Sequence, residues 1–345
     1  MGSMELSPGD QSSIKQAVAA LKLGQLVAFP TETVYGLGAD AANPEALQRL
    51  YNVKGRPASH PVIVHLSSLA QLRDWASTIS PAAFKLAETF WPGPLTLILP
   101  KAQHVLDQVT GGQTSVGLRI PSHPLALALL REFSGGVAAP SANKFGRLSA
   151  TCAEDVAAEL GADVAVVLDG GPCDLGIEST IVDFSQGSPQ ILRPGMILAE
   201  HIEAIIGPVA RAAGASTPSG GKDLSPLPPR VPGGLPSHYA PLTPLRLVES
   251  QSLEREIEYW RQAGKSVCVL SFSQATLPGV IWLAASREPF EYARHLYRNL
   301  RMLDQKAQDL ILVESPPGSG EWSGIADRLA RASVKESRTK EVQNE

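Results

Sequence analysis

Cysteine is scarce. Cys152, Cys173 and Cys268 are the only three, none sits in a CxxC pair, and an odd number cannot all pair. That excludes a disulfide scaffold and a zinc knuckle and suits a reducing, cytoplasmic setting. A surplus of positive charge is missing too: 30 Lys plus Arg stand against 34 Asp plus Glu, for a formal charge of −4, and aromatics make up 6%. The chain is therefore not built as a dedicated nucleic-acid binder, and any site for a polyanion has to be local. No apolar run approaches the roughly 18 residues that cross a bilayer as a helix, so no membrane partner is expected. The first residues carry neither a basic nor an apolar leader pattern, and a second Met at position 4 suggests that residues 1–3 precede the natural start.

Familiar catalytic signatures are absent as well. There is no HExxH, no GxSxG and no paired Cys/His cluster, which removes support for metalloprotease, hydrolase-elbow and zinc readings. Gly220-Gly221-Lys222 fails as a P-loop, because Ser216 stands where the first Gly belongs and Asp223 where a Ser or Thr would hold Mg2+. Gly318-Ser319-Gly320 fails as a dinucleotide fingerprint, since the third Gly falls at 324 rather than 323.

What is present is an ordinary globular balance, 43% hydrophobic and 19% charged over 345 residues, enough for two domains. The sharpest break runs over 207–236, where six Gly and seven Pro in thirty residues cannot sustain a helix or a central strand. Around it the pattern predicts a catalytic domain over 10–206, a Pro/Gly-rich linker or lid over 207–243, a small α/β domain over 244–333 and a polar tail over 334–345.

Periodicity in the first part predicts a helix capped by Ser12 or Ser13 and ending near Leu23. Strands are expected at 26–29, 62–66, 95–99, 116–120, 164–168 and 179–184, and helices at 44–51, 81–90, 124–133 and 153–160. The sheet should be large and mixed. After the linker, strands at 245–248, 266–272 and 310–313 alternate with helices at 253–262, 288–305 and 324–332, the pattern of a small doubly wound domain.

Chemistry-bearing residues gather where these strands end. Thr31, Thr33 and Tyr35 follow Phe29-Pro30, and Lys54-Gly55-Arg56 puts two cations on a chain that can bend. His65 ends one apolar strand and Arg119 another, while Ser141 and Asn143 follow the apolar run 137–139. Each cluster has a plainer reading: a turn satisfying its own backbone, a solvated charge pair, a snorkelling cation, a capped turn. With His65 and Arg119 taken together, and with Gly176-Ile177-Glu178-Ser179-Thr180 and Leu192-Arg193-Pro194-Gly195 added, six such clusters in one domain weigh more than any of them singly.

The motifs in order are Phe-Pro-Thr-Glu-Thr-Val-Tyr-Gly-Leu (29–37), Lys-Gly-Arg-Pro (54–57), Trp-Pro-Gly-Pro-Leu-Thr (91–96), Leu-Arg-Ile-Pro (118–121), Ala-Pro-Ser-Ala-Asn (139–143), Gly-Ile-Glu-Ser-Thr-Ile-Val-Asp (176–183) and Leu-Arg-Pro-Gly (192–195). This series closely resembles the YrdC-like threonylcarbamoyl-AMP synthases, in their long two-domain form. The resemblance implies a large twisted mixed-sheet YrdC-like α/β domain, a linker and a small Rossmann-like C-terminal domain. It also implies a cytoplasmic nucleotidyltransferase that makes threonylcarbamoyl-AMP and pyrophosphate from L-threonine, bicarbonate and ATP with Mg2+. The product would feed a tRNA threonylcarbamoyl-transferase making N6-threonylcarbamoyladenosine.

By motif position, Thr33, His65, Arg119, Ala139 and Ser179 would hold threonine. Lys54, Arg56, His60, Ser115, Ser141, Asn143, Ser149, Arg193 and Tyr239 would hold ATP, with Lys54, Arg56, Ser141 and Asn143 nearest the chemistry. No protein metal ligand is expected. The linker departs from the family pattern, because Leu235-Pro236-Ser237 replace the usual Tyr and basic residues before His238-Tyr239-Ala240-Pro241. Tyr239 remains as the lid contact. Two other classes stay in view: an RNA-binding module using the same cations, disfavoured by the charge balance, and a carbamoyl-adenylate enzyme with another acceptor, which would normally carry extra modules.

Overall fold

The computed structural model describes residues 7–211, 228–235, 238–274, 277–318 and 320–333. The expected tail over 334–345 and Gly220-Gly221-Lys222 lie outside them.

Ten strands build the first sheet: β1 Val27–Phe29, β2 Gly36–Asp40, β3 Ile63–His65, β4 Leu95–Pro100, β5 Ser115–Arg119, β6 Val137–Ala138, β7 Val166–Val167, β8 Thr180–Asp183, β9 Gln190–Arg193 and β10 Ala210–Arg211. Their spatial order is β10-β9-β8-β4-β5-β3-β6-β2-β1-β7, with parallel and antiparallel neighbours mixed, as expected. β2, β6, β9 and β10 are not among the strands expected from sequence, and β2 is the least strand-like of them, with Gly36 and Gly38 in its five residues. Packing explains it: a Cβ on Gly38 would come within 2.9 Å of both the Phe29 ring and Val137, so only glycine lets these side chains cross the strand. β10 extends the sheet past residue 206 into what composition marked as linker.

Helix starts follow local chemistry. The first helix is Pro8–Lys22, capped by Ser7 in a reciprocal box with Asp10, so Ser12 and Ser13 lie inside it rather than at its cap. Asn43, Ser80 and His123 cap helices that each carry Pro in the first turn, where the missing N–H costs nothing.

The second sheet, β11 Leu245–Val248, β12 Val267–Ser271, β13 Ile281–Ala284 and β14 Leu310–Glu314, is wholly parallel in the order β11-β14-β12-β13. Side chains alternate across it: Val267, Val269, Leu310 and Leu312 pack toward helix Leu253–Gln262. Cys268, Leu270, Ile311 and Val313 face helices Pro289–Asp304 and Ser323–Ala332. That second cluster also takes in Val34, Leu148, Ile177 and Tyr239, so the apolar core of the small domain continues into the first. Arg301 reinforces the join, donating to Leu148 O at 2.7 Å and pairing with Glu159 at 3.1 Å. No helix among the described residues is long and apolar enough to cross a membrane.

Candidate functional site

Strand periodicity places the site on a face of the large sheet. In β5, Val116 and Leu118 enter the main core, which turns Ser115, Gly117 and Arg119 to the opposite side; in β3, Val64 does the same for Ile63 and His65. His65 and Arg119 are register partners in adjacent parallel strands, and Ala139 N donates to Ile63 O at 2.9 Å. The residues expected at strand ends are thus gathered side by side on one sheet face. A strap over 228–235, continued by His238 and Tyr239, covers that face, with Val231 packed on Ile98, Ile181 and Leu192.

Beneath the strap is a cavity of about 40 Å3, lined by nine of the expected residues: Thr33, Arg56, His65, Arg119, Ala139, Ser141, Ser179, Arg193 and Tyr239. At ~10–15 Å3 per water it holds a few waters, so the strap stands closed. Arg119 donates from Nε to Gly93 O, and its Nη2 lies 2.8 Å from Glu32 Oε1, although the N–H is not aligned for a hydrogen bond. Glu32 in turn accepts from Ser122 N at 3.0 Å. Arg193 ties two walls together: Nε and Nη2 donate to Ser179 O and Oγ at 3.0 and 3.1 Å, and Nη1 donates to Pro232 O of the strap at 2.9 Å. Arg56 donates to Pro61 O and lies over the Phe145 ring, with Nε unpartnered. Burial foremost, with Arg119 beside it, pushes His65 down to about 3, so its imidazole is neutral at neutral pH.

The strap ends in an unusual conformation. Tyr239 is fully buried at φ 60°, a region a tyrosine enters at a cost of about 1–3 kcal/mol unless its surroundings hold it there. They do: its ring stacks on Tyr297, Arg328 lies 5.3 Å from its centroid, and its hydroxyl, without a partner, fits where Gly233 has no Cβ.

Comparison with known proteins gives this arrangement a family. Residues 19–195 match the family model described as "Telomere recombination" (Sua5, YciO and YrdC), and residues 197–334 match the model described as "Threonylcarbamoyl-AMP synthase, C-terminal domain". The threonylcarbamoyl-AMP synthase of Bacillus subtilis is 42% identical over 337 residues, covering 95% of this chain and 94% of its own. The chain belongs to the threonylcarbamoyl-AMP synthase family, in its two-domain form. The Pyrococcus abyssi enzyme is 37% identical over 94% of this chain and 95% of its own. The crystal structure of P. abyssi Sua5 complexed with L-threonine superposes with a TM-score of 0.85 at 36% identity, covering 96% of each chain.

Five residues that the family motifs single out do not line the cavity. Lys54 is buried behind it, donating from Nζ to Ser141 O at 2.6 Å and to Asn143 O; burial first, then Arg56, holds its pKa well below the usual lysine value. Asn143 spans its own loop, donating to the carbonyls of Lys144 and Arg147. Ser149 donates to Glu178, and Ser115 is buried at the start of β5. His60 stacks edge-on against Phe145 and lines a second, larger cavity of about 590 Å3 on the other side of the strap, with Arg230 and Arg331. Thr31 closes the turn that its plainer reading expected, donating to Val34 O at 2.6 Å, and it lines the cavity beside Thr33.

Motif reading of the sequence missed Glu32, Glu178, His238, Tyr297 and Arg328. A carboxylate between Ile177 and Ile181 does signal a buried partner. That partner, Arg328, lies 150 residues away.

Proposed function

We propose that the chain condenses L-threonine with bicarbonate and adenylates the product with ATP, giving threonylcarbamoyl-adenylate and pyrophosphate for a tRNA threonylcarbamoyl-transferase. The observation that carries the reading is the closed, hydroxyl-lined cavity ringed by Arg56, Arg119 and Arg193, in a chain that matches a relative crystallised with L-threonine. Three guanidiniums suit a carboxylate and a string of phosphates, and a strap that leaves room for only a few waters suits a mixed anhydride that water would destroy.

The threonine amine attacks the bicarbonate carbon and water leaves. An oxygen of the new N-carboxylate then attacks the α-phosphorus as the bond to the β-phosphate bridge breaks, and that electron pair departs with pyrophosphate. In-line positioning and charge neutralisation do the work. A covalent enzyme nucleophile is not needed, and burial pushes the nearby Cys173 thiol up, away from its reactive form. Arg119 meets the threonine carboxylate, with Thr33, neutral His65 and Ser179 around the rest of the amino acid. Arg56 and Arg193 face the phosphates. Lys54 acts by holding the loop of Ser141 and Asn143 in place. The carboxylates at the cavity are already engaged by Arg119 and Arg328, and no cluster of three metal-ligating side chains occurs among the described residues. Mg2+ therefore enters with ATP as part of the substrate. With its free cysteines, the chain fits a cytoplasmic site of action.

Pyrophosphate release measured with each component omitted in turn tests the proposal. Release should require threonine, bicarbonate and ATP together, and serine should be slower by the ~1–3 kcal/mol that one methyl contact supplies. Equal release without bicarbonate would sink it.

A further inference from the structure

The carboxylate of Glu178, in the wall of the cavity, is engaged mainly from the other domain. Ser149 Oγ donates to Oε1 at 2.5 Å, the Tyr297 hydroxyl to Oε2 at 3.0 Å and Arg328 Nε to Oε2 at 2.8 Å. Tyr297 and Arg328 belong to the two helices of the small domain that face the first. The Arg328 guanidinium also donates from Nη2 to Glu178 O at 3.1 Å and from Nη1 to Pro194 O at 2.9 Å, and it lies against the Tyr239 ring. One wholly buried side chain thus touches the peptide that leads into Ser179, the turn that follows Arg193 and the end of the strap. The backbone is shaped to admit it: a Cβ on Gly324 would come within 2.9 Å of Ile177 and 3.2 Å of Gly195.

A buried ion pair of this kind seldom stabilises a fold more than an apolar pair of the same shape, so its presence asks for another reason. The substrates supply one. An uncompensated carboxylate at Glu178 would face the carboxylate of threonine and the phosphates of ATP across the same small cavity, and like charges there oppose binding.

We propose that Arg328 is a positioning residue: by neutralising Glu178 and fixing Ser179, the turn at Pro194 and Tyr239 in one wall, the small domain completes the substrate pocket of the first domain. This rests on the assignment of threonine and ATP to that pocket. It gives the second domain a function in substrate binding.

The test uses the full chain with Arg328→Met, Arg328→Lys, Glu178→Gln and the double variant Glu178→Gln/Arg328→Met. Two readouts are taken: KM and kcat for threonine and ATP from pyrophosphate release, and the rate of tryptic cleavage at Arg230 in the strap with no substrate present. Arg328→Met should raise both KM values about tenfold or more and speed cleavage. Adding Glu178→Gln should recover part of the KM loss, because it removes the stranded charge, and Arg328→Lys should fall between wild type and Arg328→Met. A folded Arg328→Met protein with wild-type KM values and wild-type cleavage overturns the inference, as does a fall in kcat alone. If Arg328→Met does not fold, Arg328→Lys and Glu178→Gln carry the same readouts. A wild-type chain that releases no pyrophosphate refutes the substrate assignment, while the cleavage rates still decide whether Arg328 holds the strap.

Discussion

The cavity has two walls built on different principles. The sheet wall, with Ile63, His65, Arg119 and Ala139, is held by strand register, so each side chain's place follows from backbone pairing with the next strand. The strap wall, residues 228–235 with His238 and Tyr239, has no ladder of its own among the described residues and is pinned mainly by side chains: Gln113 accepts from Arg230 N at 2.7 Å and donates to Arg230 O at 3.0 Å. Arg193 reaches Pro232 O, Arg331 reaches Leu235 O at 2.7 Å, and His238 N donates to Arg331 O. A wall fixed by backbone is rigid whatever its side chains, whereas a wall fixed mainly by side-chain hydrogen bonds is loosened by substitutions that leave the sheet intact. An active site that must shut out water and then let its product go needs one wall of each kind.

Arg193→Ala should give the largest effect, because Arg193 hydrogen-bonds both Ser179 and Pro232 of the strap. Turnover should fall ~100-fold or more, and unfolding should become easier by about 2–4 kcal/mol as Ser179 and Pro232 lose their donor. Steady-state kinetics and urea midpoints read both. A stability loss with normal turnover would mean that Arg193 is a clamp between the walls and never meets phosphate.

Lys54→Met comes next and separates support of a wall from contact with substrate. Its ammonium is buried on two carbonyls of the loop carrying Ser141 and Asn143, so stability should drop by about 1–3 kcal/mol along with turnover. A solvent-facing phosphate ligand would instead lose turnover with its unfolding midpoint unchanged.

Gly233→Ala probes the strap alone. At φ 77° an added Cβ is strained, and it would lie 1.8 Å from the Tyr239 hydroxyl, so Tyr239 must leave its place. A cost of about 1–3 kcal/mol and a lower yield of intact intermediate per pyrophosphate should follow. Tyr239→Phe in the same chain should recover part of both, since it deletes the clashing oxygen. No recovery would show that the backbone strain at residue 233 sets the effect.

The two walls also differ in how far they could be read from sequence. The sheet wall was legible because its signals are short-range: His65 and Arg119 each end an apolar strand, and local motifs named Thr33, Ser141 and Ser179. The small domain was legible for the same reason, except for the edge strand β13, Ile281–Ala284, which was not expected. The strap was visible only as an excess of Gly and Pro, which predicts irregular backbone and says nothing of what pins it. Its anchors, Arg331 and Arg328, sit on an amphipathic helix where arginines ordinarily read as solvent-facing. Glu32 and Glu178 were in quoted motifs, but their partners, Arg119 and Arg328, are set by tertiary contact over 87 and 150 residues. β2 was missed because its glycines are there for the Phe29 ring, a contact that local propensity does not encode.

Whether the two walls are equally closed in solution can be tested through the histidine that each wall carries. Burial first, aided by Arg119 for His65 and by Arg56, Lys54 and Arg193 for His238, pushes both down to about 3. Unfolded, each would titrate near 6.5. A depressed histidine contributes stability that is complete above the unfolded value and is lost as pH falls from about 6.5 toward 3, because only the unfolded chain takes up the proton there. Glu178, which burial raises but Arg328 and Arg193 hold down to about 2, loses its contribution only below about 4.5, so pH 5 isolates the histidines. Between pH 7 and pH 5 each buried imidazole should cost about 2 kcal/mol of unfolding free energy. His65→Asn and His238→Gln should each remove that much of the pH dependence, read from urea midpoints at the two pH values. If His65→Asn does so and His238→Gln does not, the imidazole of His238 meets water in the free enzyme. The strap then stands open before substrate arrives while the sheet wall is already formed.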